Sequence, residues 1–189
     1  MPALVIGLGN PGGEYARTRH NVGWMCLDVL ERRGRFARER REGLARVRIG
    51  SVEGIDMVLA RPQTFMNLSG RAAVQLTQQH GVRPQDSIVV HDEADFPLGK
   101  IQVRRRGSSA GHNGVQSLID SWRTNEFVRV RIGVGRPGDD DLIDHVLDRF
   151  TPEERDVLPG ILERAADAVV AVLRDGVDAA MTAYNRAPG

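Results

Sequence analysis

The stretch Ala3-Leu4-Val5-Ile6-Gly7-Leu8-Gly9-Asn10-Pro11-Gly12-Gly13 decides the class of fold. It opens with branched apolar residues, which is typical of a buried β-strand, and it ends in an irregular loop rich in glycine. Between Asn21 and Glu31, apolar residues recur on one face of a helix. A strand, a loop and a helix in this order are typical of an α/β domain.

The remainder of the chain continues to mix strands with helices. A hairpin is predicted at 44–51 and 55–60, and strands at 87–91, 101–106 and 127–134. Helices are predicted at 69–80, 114–122, 139–150 and 152–174. Because no repeat, low-complexity tract or linker divides the chain, we predict a single domain over residues 1–189, with a twisted mixed β-sheet flanked by helices.

Composition excludes several classes of protein. The 189 residues are 41% hydrophobic, enough for one core, and the longest apolar runs fall short of the roughly 20 residues that span a membrane. The start of the chain reads as a strand rather than a charged leader, so we expect a cytoplasmic protein. Cys26 is the single cysteine, and the five histidines lack metal-ligand spacing, so neither a metal nor a cofactor is expected.

Charge is unevenly distributed along the chain. Residues 1–136 carry 21 basic and 13 acidic side chains, a net charge of +8, whereas residues 137–189 carry 5 and 12, a net charge of −7. Positive charge is concentrated at 31–48 and 100–106. This asymmetry is compatible with an anionic partner such as RNA, although composition alone equally fits a solvated, arginine-rich surface.

Two short motifs point to chemistry that their surroundings do not favour. Gly7 to Gly12 matches the G-x-G-x-x-G pattern of dinucleotide-binding proteins, but Pro11 and Gly13 delay the helix that should begin inside that motif. Gly107 to Gly111 matches G-x-S-x-G, with Ser109 as the nucleophile and Asp144 and His145 as possible partners. The strand before it is half cationic rather than apolar. Cys26, on the apolar face of a helix, fits core packing better than catalysis.

Five polar residues on predicted loops or strand ends remain to be explained. They are Asn10, His20, Asn67, Asp92 and Asn113. Each has a structural interpretation, since asparagine and aspartate favour turns and His20 could cap the following helix. Together, however, they supply an imidazole, a carboxylate and three amides.

The motifs that contain these residues resemble, in order, those of the bacterial peptidyl-tRNA hydrolase family. The match extends over nearly the whole chain, and several ordered motifs are more specific than any one of them. The motifs are Gly7-Leu8-Gly9-Asn10-Pro11-Gly12 with Tyr15, Thr18-Arg19-His20-Asn21, Pro62-Gln63-Thr64-Phe65-Met66-Asn67-Leu68-Ser69-Gly70, His91-Asp92-Glu93, Ala110-Gly111-His112-Asn113-Gly114 and Arg131-Ile132-Gly133-Val134-Gly135-Arg136-Pro137.

The resemblance implies a phosphorylase/hydrolase-like α/β fold and hydrolysis of the ester between a peptide and the 3′-terminal ribose of tRNA. This reaction recycles tRNA from peptides released early during translation. His20, with an ordinary pKa of about 6.5, would be the general base that activates water. Asp92 would fix the tautomer of His20, with Asp95 as the alternative, and Asn10 would contact the peptide and help to select N-blocked substrates.

The remaining assignments concern substrate binding. Asn67 and Asn113 are expected to bind the peptide or the tRNA end, and which of them donates to the oxyanion stays open. Tyr15 and Phe65 correspond to family positions near the tRNA 3′ end, where an aromatic ring can stack on a base, while core packing is the alternative for Phe65. Met66 and His112 are assigned to packing and supporting hydrogen bonds.

Contacts with tRNA phosphates are expected at Lys100, Arg104 and Arg131. Arg104 stands where the family often has lysine, and Ala110 replaces a glycine often found there. We expect a monomer. Two rival functions remain: a dinucleotide-dependent enzyme, which would bind NAD(P) through the loop at 7–12, and a noncatalytic RNA-binding protein, which would bind tRNA without turnover.

Overall fold

A computed structural model describes residues 2–138 and 141–186. Its strands are β1 Ala3–Gly7, β2 Arg35–Phe36, β3 Arg40–Glu42, β4 Ala45–Val52, β5 Ile55–Pro62, β6 Ile88–Glu93, β7 Ile101–Arg104 and β8 Val128–Gly133. Its α-helices are α1 Val22–Arg33, α2 Ser69–His80, α3 Asn113–Trp122, α4 Leu142–Leu147, α5 Pro152–Asp175 and α6 Val177–Tyr184.

The strands form one mixed sheet in the order β2-β4-β5-β1-β6-β8-β7. β3 also pairs with β4, near its beginning, whereas β2 pairs near its end. Strands β5, β1, β6 and β8 run parallel to one another, and the remaining pairs are antiparallel. The carboxyl ends of the four parallel strands therefore share one edge of the sheet. In open α/β sheets, ligands commonly bind at that edge.

Helices cover both faces of the sheet because consecutive strand residues point to opposite sides. Val5 of β1 packs in the core beneath α1 and α5, whereas its neighbours Leu4 and Ile6 pack in a second core beneath α2 and α3. The expected α/β class, with a mixed sheet between helices, is confirmed.

Most predicted elements are found within a few residues of their expected bounds. The predicted strand at 101–106 ends at Arg104, and the predicted helix at 139–150 is reduced to α4; its first two residues lie outside the described part of the chain. Strands β2 and β3 and helix α6 were not predicted. β2 and β3 have two and three residues, too few for an alternating pattern to be recognised.

Two glycines, one in the first loop and one in α1, allow α1 to approach the sheet closely. A Cβ atom on Gly23, the second residue of α1, would lie 2.4 Å from the backbone oxygen of Val90. A Cβ atom on Gly9 would lie 2.8 Å from the indole of Trp24. The start of α1 is thus pressed against the carboxyl ends of β1 and β6, which places the turn before α1 beside the end of β6.

Over the ranges 2–138 and 141–186, no helix combines the length and the apolar character needed to cross a bilayer.

Candidate active site

A cavity of about 270 Å³ opens at the carboxyl edge of the parallel strands. Its walls come from the loop after β1, the 3-10 turns Arg19–Asn21 and Met66–Leu68, the end of β6, the start of α3, and α4. It brings together six of the predicted site residues: Asn10, His20, Phe65, Asn67, Asp92 and Asn113. The expected clustering of these side chains, drawn from loops far apart in sequence, is therefore what the fold produces.

His20 and Asp92 form a buried hydrogen-bonded pair. Nδ1 of His20 lies 2.8 Å from Oδ2 of Asp92, whose side chain is 2% exposed. Burial alone lowers the pKa of His20, but the charge of Asp92 and its hydrogen bond outweigh burial, so the pKa is raised above its ordinary value. Burial raises the pKa of Asp92, yet the facing imidazoles hold it far below its usual range. Asp92 is therefore a carboxylate.

His112 forms a hydrogen bond with the second carboxylate oxygen of Asp92. Its Nε2 lies 2.7 Å from Oδ1, and its Nδ1 accepts hydrogen bonds from the backbone amides of Gly114 and Val115 at 3.1 and 3.2 Å. An imidazole nitrogen that accepts carries no proton, so His112 is the neutral tautomer with its proton on Nε2. His112 thus caps α3 and holds Asp92, in agreement with its expected supporting role.

The proton arrangement of His20 follows from that of Asp92. Since a carboxylate only accepts, Nδ1 of His20 donates to it, and in neutral His20 the lone pair is on Nε2. Among the described residues, none forms a hydrogen bond with Nε2, and His20 lines the cavity. The arrangement can take a proton from a molecule bound there.

Asn10 is oriented by two neighbours. Its Oδ1 accepts from the amide of Met66 at 2.6 Å, and its backbone is held by a reciprocal pair of hydrogen bonds with the side chain of Asn21 at 2.9 and 3.0 Å. These contacts leave Nδ2 of Asn10 as the donor available to the cavity. Sequence reasoning did not give Asn21 a role; its only signal was its place beside His20 in the second motif.

The remaining predicted binding residues lie at different depths. Asn67 and Asn113 are exposed and line the cavity, on the 3-10 turn after β5 and at the first position of α3. Phe65 is 58% exposed and also lines it, which contradicts core packing for this side chain. Tyr15 is half-buried on the loop before α1 and does not line the cavity.

Helix α4 supplies an apolar wall that sequence reasoning missed. Leu142, Ile143 and Leu147 line the cavity although they are 47%, 59% and 38% exposed, and the buried Val146 lines it as well. Large apolar side chains left in solvent beside a polar site are typical of a binding surface. The apolar spacing within Leu142–Leu147 predicts a helix, but it does not indicate that these side chains face a cavity.

The three basic residues expected to bind phosphate differ in location. Lys100 directly precedes Ile101, which is level with Asp92 across the sheet, so Lys100 lies at the level of the cavity. Arg104 is level with Val89 instead, three residues or about 10 Å further from the cavity along the strands. Arg131 is 6% exposed and donates to Oε2 of Glu93 at 2.7 Å. Both terminal nitrogens of Arg131 are thus already paired within the protein, one with Glu93 and the other with Gln102.

The dinucleotide-binding interpretation of Gly7 to Gly12 does not fit the geometry. Helix α1 begins at Val22, ten residues after the motif, so its amino terminus does not follow the glycines as that motif requires. The backbone amide of Asn10 within the motif is bound by Asn21. Gly9 is needed instead because Trp24 packs against it.

Ser109 and Cys26 lack the surroundings of a catalytic nucleophile, as the sequence predicted. Nε2 of His145 is hydrogen-bonded to the backbone oxygen of Gly135 at 2.9 Å, and within the described residues Ser109 has no hydrogen bond to an imidazole. Cys26 is fully buried in the core, and burial raises the pKa of its thiol to about 12. A thiol in that state is inert.

By distance alone, His20, Asp92 and His112 could hold a metal ion, since one ligand atom from each lies within 4.8 Å of the others. Nδ1 of His20 and Nε2 of His112, however, are each hydrogen-bonded directly to an oxygen of Asp92, at 2.8 and 2.7 Å. The other nitrogen of His112 is occupied by two backbone amides. Hydrogen bonding therefore accounts for the cluster without an ion.

Comparison with known proteins identifies the family. The family model described as Peptidyl-tRNA hydrolase matches residues 4–188. A protein named peptidyl-tRNA hydrolase from Chloroflexus aurantiacus is 46% identical over 185 residues, which are 96% of this chain and 98% of that protein. Another of that name from Nocardia farcinica is 47% identical over 182 residues, 95% of this chain and 94% of that protein.

A solved structure gives the same result. The crystal structure of peptidyl-tRNA hydrolase from Acinetobacter baumannii has a TM-score of 0.89 with this chain at 32% sequence identity, covering 97% of this chain and 94% of that one. The match in sequence and the match in fold both extend over nearly the full length. The chain therefore belongs to the peptidyl-tRNA hydrolase family.

Proposed function

We propose that this protein hydrolyses the ester bond between a peptide and the 3′ end of tRNA, with His20 as general base. The observation that carries the proposal is the hydrogen bond of 2.8 Å between Nδ1 of His20 and the buried Asp92, which leaves Nε2 of His20 in the cavity. Membership of the family supplies the substrate. We further propose that it works in the cytoplasm as a single-domain monomer over residues 1–189.

In the proposed reaction, Nε2 of His20 takes a proton from water while the water oxygen forms a bond to the ester carbonyl carbon. Asp92 stabilises the imidazolium that results, because it accepts the Nδ1 proton and is itself held as a carboxylate by His112. The tetrahedral intermediate then breaks its bond to the ribose 3′ oxygen, which takes the proton from His20. The products are a free peptide and tRNA.

Amide groups at the cavity are suited to hold the carbonyls of the peptide. With Oδ1 of Asn10 bound to the amide of Met66, Nδ2 of Asn10 offers a donor. An N-acylated substrate carries a carbonyl that accepts such a hydrogen bond, whereas the ammonium of an ordinary aminoacyl-tRNA can only donate. Selection of N-blocked substrates follows. Asn67 and Asn113 are the candidates for the oxyanion donor.

The two ends of the substrate are proposed to bind different walls. The apolar residues of α4 suit peptide side chains, because burying them removes exposed apolar surface on both partners. Phe65 and Tyr15 are proposed to contact the unpaired tRNA end, where the exposed ring of Phe65 can stack on a base. Lys100 and Arg104 are the proposed phosphate contacts, and we remove Arg131 from that set because it is buried against Glu93.

The test is hydrolysis of N-acetyl-aminoacyl-tRNA by the purified protein, beside unblocked aminoacyl-tRNA and the variants His20→Ala and Ser109→Ala. The proposal expects selective cleavage of the blocked substrate, loss of it in His20→Ala and no change in Ser109→Ala. Undiminished cleavage by His20→Ala would place the base elsewhere. Binding of tRNA without cleavage by the wild-type protein would indicate a noncatalytic RNA-binding protein.

A further inference from the structure

Arg19 directly precedes His20, yet its side chain binds α4 and the first turn of α5 instead of lining the cavity. One terminal nitrogen donates to the backbone oxygen of His145 at 2.9 Å, and the other donates to Oε1 of Glu154 at 2.7 Å. Arg19 is only 5% exposed. A buried guanidinium of this kind is held in place by its partners, and the partners are held in place by it.

The backbone around Arg19 binds the segment that joins α4 to α5. The amide of Arg19 donates to the oxygen of Asp148 at 3.0 Å, and Thr18 forms an antiparallel bridge with Arg149. The guanidinium of Arg19 also lies over the ring of Phe150, 5.7 Å from its centroid. The turn that carries His20 and the junction between α4 and α5 are therefore one packed unit.

Glu154 links this unit to the start of α5. It is the third residue of α5 and closes a capping box, in which its carboxylate accepts from the amide of Thr151 at 2.9 Å and its own amide donates to the hydroxyl of Thr151 at 3.2 Å. The oxygen that caps the helix, Oε1, is the one that accepts from Arg19. Helix α4 ends at Leu147, only four residues before this cap, so its position depends on both anchors.

From these contacts we propose that Arg19 is a positioning residue that fixes the distance between His20 and the apolar wall of α4. This inference rests on the proposed function. Adjacent residues on one 3-10 turn then have separate tasks: His20 moves the proton, and Arg19 holds the wall against which the peptide packs. Releasing Arg19 changes the fit of the peptide without changing the pair between His20 and Asp92.

Three variants separate the contacts of Arg19. Arg19→Met removes the charge and both donors at similar length, and Arg19→Lys keeps the charge but loses the forked geometry. Glu154→Gln removes only the ion pair, since glutamine serves equally in a capping box. Arg155→Met is the matched control, because Arg155 is an exposed neighbour on α5 without an ion pair in the described residues.

Two substrates differ in how much apolar peptide they place against α4. One is a tRNA carrying an N-blocked tri-leucyl peptide, and the other is N-acetyl-glycyl-tRNA. In Arg19→Met and Glu154→Gln, the KM for the tri-leucyl substrate is expected to rise about tenfold, within the range of coupling among side chains of one network. Arg19→Lys is expected to recover part of this loss. The KM for N-acetyl-glycyl-tRNA and the pH dependence of kcat stay as in the wild type.

Hydrogen exchange of the α4 amides gives a readout that does not need activity, and it is expected to accelerate in Arg19→Met and Glu154→Gln but not in Arg155→Met. Equal KM changes for both substrates, a shifted pH profile of kcat, or unchanged exchange in α4 would each overturn the proposal. If Arg19→Met does not fold, Glu154→Gln and Arg19→Lys still decide it. A wild-type protein that cleaves neither substrate would instead reject the proposed function.

Discussion

His112 donates its Nε2 proton to Asp92 at 2.7 Å, on the oxygen opposite the one that faces His20. This bond comes from a neutral imidazole whose second nitrogen caps α3. It satisfies the buried carboxylate without adding a second positive charge next to His20. The carboxylate therefore keeps its full charge for the one imidazole that is expected to become protonated during the reaction.

Replacing His112 by phenylalanine is expected to leave Oδ1 of Asp92 buried and unpaired. The free energy of unfolding should fall by about 1–3 kcal/mol, the cost of an unsatisfied buried group. The pKa of His20 should rise further, because Asp92 then has one partner instead of two. Chemical denaturation and NMR titration of the imidazole measure these two quantities.

A matched control is His80→Phe, which breaks a hydrogen bond of 2.6 Å between His80 and Glu42 far from the cavity. It should lower stability while the pKa of His20 stays constant. Equal effects of the two variants on His20 would show that His112 does not act through Asp92.

The dependence of activity on pH follows from the raised pKa of His20. A general base must be neutral, so kcat/KM should fall as the pH drops through a value above 6.5, the ordinary pKa of the imidazole. In Asp92→Asn the charge that raises this pKa is gone, while burial still lowers it, so the acid limb should move to lower pH. The maximal rate should fall by about 10⁴, as expected when the base loses its correct tautomer.

The free energy of unfolding should depend on pH in opposite directions for Asp92 and His20. The lowered pKa of Asp92 contributes stability above its unfolded value of about 3.9, and this contribution is lost as the pH falls below it. The raised pKa of His20 contributes below about 6.5 and is lost as the pH rises through the folded value. Denaturant titrations at pH 3, 5 and 8 on wild type and Asp92→Asn check both; a variant with the wild-type pH profile would contradict this account.

The orientation of Asn10 predicts different results for two substitutions. Asn10→Asp keeps an oxygen for the amide of Met66 but removes the Nδ2 donor and adds a negative charge to the cavity. We expect it to fold with near wild-type stability and to lose at least about tenfold in kcat/KM, since one hydrogen bond to substrate is worth roughly 0.5–1.5 kcal/mol and like charge adds to this.

Asn10→Ala removes the acceptor as well, leaving the buried amide of Met66 unpaired, and should lose stability in addition to activity. Thermal melts beside initial rates distinguish the two. If Asn10→Asp retained full activity, Nδ2 would not be the group that contacts the substrate.

How far the sequence determined the fold depends on the length of each element. The continuous apolar run that begins at Ala3 and the long amphipathic pattern at 152–174 predicted β1 and α5 nearly to their ends. The two-residue strand β2 has no such pattern, because its pairing with β4 is a tertiary contact. The order of strands also depends on long-range packing that local periodicity does not encode.

For the site, the sequence identified residue types but not their protonation or orientation. The motifs predicted that His20, Asp92 and Asn10 would meet, which the cavity shows, but the tautomer of His112 depends on two amides of α3 that only the fold supplies. Arg131 was expected to contact tRNA phosphates together with the basic stretch at 100–106. It is buried because β8 places it opposite Gln102 and beside Glu93, a pairing set by sheet register.

Ala110 offers a prediction about stability alone. It has a φ of 49°, in the left-handed region, where an L residue with a Cβ atom costs about 1–2 kcal/mol and glycine costs far less. Glycine also increases the entropy of the unfolded chain by about 0.4–1 kcal/mol, which offsets part of the gain. We therefore expect Ala110→Gly to raise the free energy of unfolding by about 0.5–1 kcal/mol, or roughly 2 °C in Tm.

The matched control for Ala110→Gly is Ser109→Gly, one residue earlier in the same loop and without a positive φ. Only the cost in the unfolded chain applies there, so Ser109→Gly should lower stability by about 0.4–1 kcal/mol. Calorimetry on both variants measures the difference in sign. If both substitutions destabilised the protein equally, the left-handed strain at Ala110 would be absent in solution, and the loop that carries His112 and Asn113 would have a different backbone path.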